Sequence, residues 1–235
     1  MELSTRLAAI ANFVPKGSRV IDVGTDHAYI PIFLVQTGRA TSCLATDINE
    51  GPLEKAQKNL KLHHIQNVEL MRTNGVEGIA PDKGNVLMIS GMGGYLMIDI
   101  LKRGEILVSH MKRLILQPQQ DISEVRKYLH QISFKIVDEA FVKDDDKYYT
   151  VIVAEPGKEK PYEKAYEYLY GKCLIEKQSE VFKEWLNMKL VKQQGIYKAL
   201  IEQDSPSANM RKVELEKEIE CLKEVAKCLS RAIQN

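Results

Sequence analysis

The chain has 235 residues, 44% of them hydrophobic and 28% charged, with a net charge of +1. This is the composition of a folded globular protein and excludes a disordered chain; near-neutrality gives no bulk positive charge that would name nucleic acid as a partner. No run approaches the ~18 consecutive apolar residues of a membrane span, and Met1-Glu2-Leu3-Ser4-Thr5-Arg6 lacks the basic and apolar regions of a secretory signal.

In chain order, the first part alternates short β-rich runs with helical patterns. The predicted strands are Arg19–Val23, Ser42–Asp47, Val68–Arg72, Val86–Ser90, Arg113–Gln117, Ser133–Ala140 and Tyr148–Glu155. The first five are apolar runs, as expected of strands buried on both faces. Helical patterns fall between them at roughly 3–12, 29–37, 52–64, 94–108 and 121–131. This rhythm predicts an α/β fold with a doubly wound, mostly parallel sheet. The last two strands face each other across Lys143-Asp144-Asp145-Asp146-Lys147, a charged loop that closes the sheet with one antiparallel strand.

Composition changes at Glu155-Pro156-Gly157-Lys158, where Pro and Gly stop the last strand and strand signals cease. Two domains are expected, 1–157 and 158–235. The first carries 18 basic and 19 acidic residues and the second 15 and 13, so neither has a strong bias. Asp204-Ser205-Pro206-Ser207 interrupts a long helical reach, with Ser207 placed as the N-cap. Beyond it Leu215, Ile219, Leu222, Ala226, Leu229 and Ile233 form a heptad seam. An α-helical, antiparallel coiled-coil hairpin is predicted, either self-packed or an arm that grips a partner. Cys43, Cys173, Cys221 and Cys228 include no Cys-x-x-Cys pair, so a zinc site is not expected and a reducing, cytoplasmic setting is.

The residues that carry chemistry gather where strands end. Asp22-Val23-Gly24-Thr25-Asp26-His27-Ala28-Tyr29 closes the first strand and opens a helix. Gly24 lets the backbone turn sharply and a ligand approach closely. Asp47, ending the second strand before Ile48, is placed to accept two hydrogen bonds from a ribose diol. The Gly-x-Gly-x-x-Gly of dinucleotide sites is broken, because Asp26 replaces its second glycine and would repel a pyrophosphate. An acid at Asp22 before Gly24 is instead the pattern of methyltransferases that use S-adenosyl-L-methionine, a sulfonium cation without phosphate. Thr73-Asn74-Gly75 follows the third strand, where the adenine of such a cofactor is expected, with an ordinary Asn-Gly turn as the alternative. Ser90-Gly91-Met92-Gly93-Gly94 leaves open backbone at the carboxyl edge of the sheet.

Taken together, the Asp22–Pro31 segment, Thr46-Asp47-Ile48-Asn49 and Ser90-Gly91-Met92-Gly93-Gly94 resemble the bacterial TrmK family, whose members methylate ring nitrogen one of adenine 22 in tRNA. The resemblance covers the whole chain. It implies a Rossmann-like class I methyltransferase fold, S-adenosyl-L-methionine as donor, tRNA as substrate, and no metal, membrane or obligatory protein partner. The cofactor-binding residues expected are Asp22, Gly24, Asp47, Ile48, Asn74, Gly75, Gly91 and Met92. Asp26, His27 and Tyr29 are expected to be catalytic: Tyr29 as a stacking platform, Asp26 to meet the methylated base, His27 to position it or relay a proton. Asn/Asp-Pro-Pro-aromatic, used by many amino-group methyltransferases, is absent, which favours a ring nitrogen. A cofactor-binding module that recruits a protein, or a small-molecule methyltransferase, are the alternatives.

Overall fold

The computed structural model describes residues 1–231, and the chain divides into two compact units, Met1–Pro161 and one that begins at Tyr162. The division falls beyond the compositional change at Gly157 because Glu159 is tied back to the first unit. Its carboxylate accepts from the Ile136 N–H at 3.0 Å and meets His130 Nε2 at 3.1 Å.

The first unit is built on a seven-stranded sheet in the order β3-β2-β1-β4-β5-β7-β6. These strands are β1 (Ser18–Val23), β2 (Ala40–Asp47), β3 (Val68–Arg72), β4 (Val86–Met92), β5 (Arg113–Pro118), β6 (Phe134–Asp144) and β7 (Lys147–Pro156). β1 to β5 run parallel, and β7 lies antiparallel between β5 and β6. β1, β4 and β5 supply the middle of the core, with Val20, Ile21, Leu87, Met88, Ile89, Leu114, Ile115 and Leu116 fully buried. β3 departs from the expectation of burial on both faces. It is an edge strand whose Glu69 and Arg72 are exposed, since only β2 pairs with it. The loop predicted across 143–147 shrinks to Asp145-Asp146, because Asp145 adopts φ 51° and completes a two-residue turn.

The helices are α1 (Thr5–Asn12), α2 (Tyr29–Gln36), α3 (Glu50–Leu62), α4 (Gly94–Arg103), α5 (Glu105–Ser109) and α6 (Ile122–Gln131). Ser4 caps α1, its Oγ accepting from the Leu7 N–H. The predicted helix at 94–108 is two helices broken at Gly104, where a Cβ would stand 2.1 Å from Val76 Cγ2. α6 is pinned to β6 by a buried ion pair, Arg126 Nη2 to Glu139 Oε1 at 2.7 Å.

The second unit holds α7 (Ala165–Tyr170), α8 (Lys172–Lys177), α9 (Glu180–Leu200) and α10 (Pro206–Arg231). α9 and α10 pack antiparallel, with Gln193 donating to Glu218 and Tyr197 to Glu216. Two expectations are corrected here. Ser205, not Ser207, caps α10: its Oγ accepts from the Ala208 N–H at 3.2 Å, and Pro206 takes the first helical position, where a missing N–H costs nothing. The seam passes through fully buried Val225, and Ala226 is only half-buried. Ile233 lies outside the described residues.

Candidate functional site

Two adjoining cavities of about 330 and 310 Å³ open at the carboxyl edge of the parallel strands, and both are lined by Gly24, Ser90 and Gly91. This is the place where β1 and β4 are neighbours but their connections leave in opposite directions, so the crevice is a consequence of the strand order.

The larger cavity is lined by Asp22, Thr25, Asp26 and Tyr29 together with Arg6 and Gln119. Asp22, next to last in β1, is almost fully buried. Burial pushes its carboxyl up to about 6; a contact with Thr25 pulls it down, and the charge of Asp47 adds a smaller rise. Gly24 turns at φ +73°, and Gly91 at φ +77° where β4 shifts register. Neither backbone suits a side chain. Met92 closes over Gly24, its Cε 2.2 Å from where a Cβ would stand.

The smaller cavity is lined by Asp47, Ile48, Asn74, Gly75 and Met92, with Leu96 and Ile100 of α4 as an apolar wall. One oxygen of Asp47 accepts from the Asn49 N–H at 2.9 Å, which orients the carboxylate. Thr46 Oγ1 donates to the Gly75 carbonyl at 3.4 Å. The Asn74 amide is held between Glu77 and Arg103, and Arg103 also pairs with Glu77 and with Asp99.

Asp26 adopts φ 53° and Ala28 φ 58°, left-handed conformations where a glycine-rich loop would place glycine. Aspartate tolerates this region better than most residues. The turn sends Asp26 to the rim, 71% exposed, and Tyr29 to the first position of α2, 41% exposed. His27 does not line either cavity. Its Nε2 lies 3.3 Å from Asp26 Oδ1 and its Nδ1 3.2 Å from Tyr29 Oη, and its ring stacks on Tyr29 with centroids 5.2 Å apart. It supports the two rim residues rather than facing the crevice. Arg6 and Gln119 line the crevice although no sequence motif singles them out; none singles out Gln117 either, which accepts from Arg6 behind it.

These features fit S-adenosyl-L-methionine: a buried acid for a cationic tail, a glycine turn for close backbone approach, a strand-end acid for the ribose and an apolar slot for adenine. Among the described residues no group of histidines, cysteines and acids could hold a metal ion. No helix among them is long and apolar enough to cross a membrane. Burial and the nearby charge of Asp22 push the Cys43 thiol up to about 12, so it is not a nucleophile at neutral pH.

Residues 3–152 match a family model described as a methyltransferase domain, and together with the fold and the crevice this defines a Rossmann-like methyltransferase. A curated relative, the tRNA (adenine(22)-N(1))-methyltransferase of Bacillus subtilis, is 30% identical over 96% of this chain and 97% of its own length. The crystal structure of a Streptococcus pneumoniae protein proposed to be a tRNA (m1A22) methyltransferase superposes with a TM-score of 0.87 at 32% identity, covering 96% of this chain and 100% of that one. Its complex with S-adenosyl-L-methionine superposes at 0.84 with 31% identity and the same coverage. The chain belongs to the TrmK family of tRNA (adenine(22)-N(1))-methyltransferases.

Proposed function

We propose that the protein transfers a methyl group from S-adenosyl-L-methionine to ring nitrogen one of adenine 22 in tRNA, in the reducing cytoplasm where tRNA is modified. The observation that carries this reading is the pair of joined cavities: an adenosine-shaped slot ending at Asp47 and Asn74, and a charged chamber whose mouth is flanked by Asp26 and Tyr29. When bound, S-adenosyl-L-methionine supplies an electrophilic methyl group on a sulfonium.

The protein's residues have little proton chemistry to perform. Ring nitrogen one of adenine is unprotonated at neutral pH and keeps an in-plane lone pair. No side chain must create the nucleophile, and orientation can supply about 7–11 kcal/mol of barrier reduction. Asp47 holds the ribose, and the Thr46–Gly75 and Arg103–Asn74 contacts keep the adenine slot in shape. Tyr29 offers an exposed ring on which an unstacked base can rest, offsetting an unstacking cost of about a few kcal/mol. Asp26, beside it, accepts a hydrogen bond from the exocyclic amine or faces the cation left on the methylated base. His27 fixes both through its contacts with Asp26 and Tyr29.

The test is methyl transfer to unmodified tRNA followed by mass mapping. A new 1-methyladenine at position 22 supports the reading. Transfer to a small molecule, with no transfer to tRNA, replaces it, as does cofactor binding with no transfer at all.

A further inference from the structure

Three glutamines, Gln117, Gln119 and Gln120, stand where the chain leaves β5, and Gln119 is the one that offers a free amide to the crevice. Gln117 is fully buried, its Oε1 accepting from Arg6 Nη1 at 3.0 Å and its Nε2 donating to the Pro118 carbonyl at 3.2 Å. Gln120 lies over Gly93, its Nε2 3.1 Å from where a Cβ would stand, and lines neither cavity. Gln119 is exposed and lines the larger cavity together with Asp26 and Tyr29. Among the described residues its carboxamide bonds to no protein group.

The backbone fixes where that amide starts. The Gln119 N–H donates to the Met92 carbonyl at 2.9 Å, and Pro118 before it pairs with Met92 in the β4–β5 register. Beside it, Gly91 has no Cβ; one would stand 4.0 Å from Gln119 Nε2, so the amide borders bare backbone there. A carboxamide carries an acceptor and a donor side by side. A base resting on Tyr29 with ring nitrogen one turned to the methyl group leaves another edge for recognition, the exocyclic amine and N7. In adenine that edge is a donor next to an acceptor. A glutamine meets it with two bonds, Oε1 accepting from the amine and Nε2 donating to N7. Guanine presents two acceptors there, so one of them would face Oε1. The second hydrogen of the amine stays available to Asp26, and ring nitrogen one keeps its lone pair.

Resting on the tRNA methyltransferase reading above, we infer that Gln119 selects the acceptor base, holding the exocyclic amine and N7 of adenine with its carboxamide. Stacking on Tyr29 tolerates any base, because every base has an aromatic face. The two bonds from Gln119 supply the discrimination that stacking lacks, and they set the angle at which ring nitrogen one meets the donor.

The test is methylation, by the full chain, of two tRNAs that differ only at position 22: one with adenosine, the other with 7-deazaadenosine, which lacks the N7 acceptor and keeps the amine and ring nitrogen one. The wild type should prefer adenosine by about two- to tenfold in kcat/KM, the range of one neutral hydrogen bond. Gln119→Ala should methylate adenosine about five- to a hundredfold more slowly, the range of a bidentate base contact, and should no longer distinguish the two RNAs. Its affinity for S-adenosyl-L-methionine in calorimetry should match the wild type. Gln119→Glu places an acceptor against N7, so it should reverse the wild-type preference, and it decides the matter should Gln119→Ala fail to fold. A wild type indifferent to N7, or a Gln119→Ala variant that keeps the full preference, would overturn the assignment. So would weakened donor binding in that variant, the mark of a donor contact. A wild type that binds the donor and methylates neither RNA would instead remove the tRNA reading on which the inference rests.

Discussion

Asp47 and Tyr29 stand at opposite ends of the crevice, and their loss should separate binding from chemistry. Asp47→Ala removes charge-assisted hydrogen bonds to the ribose, each worth about 1.5–3 kcal/mol, and should weaken S-adenosyl-L-methionine at least about tenfold in calorimetry. Tyr29→Ala should bind the donor nearly normally yet slow single-turnover methylation of tRNA. Unchanged donor affinity in the first variant, or a wild-type rate in the second, removes that residue from its role. Asp22 sets a pH dependence. Its carboxyl is raised to about 6 by burial, so between the ordinary carboxylate value and 6 the native state holds a proton that the unfolded chain releases. Stability therefore falls as pH rises through that window. Donor binding should move the other way, because an ionised Asp22 meets the ammonium of the tail. Affinity should drop by up to about tenfold per pH unit below 6, and Asp22→Asn should flatten the profile measured by calorimetry. The acids and glycines of this site are legible in the sequence because each terminates a strand of a βαβ unit, where spacing along the chain equals position in space. Arg6, Gln117 and Gln119 are not. They arrive from α1, from β5 and from the residue just after it, through the tertiary fold, which no local spacing records. His27 departs from its expected place for a related reason. Left-handed backbone on both sides turns it from the crevice, and sequence adjacency does not reveal side-chain direction.

At the scale of elements, the alternation of strand and helix is readable because buried parallel strands are continuous apolar runs. Their ends are less so. Gly104 divides a helix because Val76, distant in sequence, occupies the space a side chain would need. The edge position of β3 follows from topology and not from its own composition. The start of α10 shows how one residue decides a boundary. Ser205 and Ser207 both precede the helical pattern, yet Pro206 takes the first helical position and leaves Ser205 outside the helix to accept the Ala208 N–H. Ser205→Ala should lower stability by about 1 kcal/mol, the usual worth of such a cap, and Ser207→Ala should leave it nearly unchanged. Denaturant midpoints of the two variants check this. The reverse order would return the cap to Ser207.

At the scale of the whole molecule, every residue assigned to the donor lies in the first unit, and the second unit must act on something else. Its charge argues against bulk attraction for RNA. The basic residues of α10 are partly spent within the unit: Arg211 pairs with Glu214 at 2.7 Å and with Glu218 at 3.5 Å, and Lys212 donates to the Gln203 carbonyl. Lys223 and Lys227 line a groove with Lys198, but Glu216, Glu220 and Glu224 share it. The helical unit is therefore expected to place tRNA through shape and a small set of bonds to phosphates. A chain ending at Pro161 tests this. That end keeps Glu159, which a cut at Gly157 would remove from its bonds to Ile136 and His130. Once shown to be folded, the shortened protein should bind S-adenosyl-L-methionine like the full chain and methylate tRNA poorly. Its salt dependence of tRNA binding should also be shallower, by about 0.7 to 0.9 in logarithmic slope for every phosphate that the helical unit neutralises in the full chain. A much steeper fall in slope would mean that the helical unit binds RNA chiefly by charge. Full tRNA methylation by the shortened protein would mean that the unit does not position the substrate, and would point to a protein as its partner.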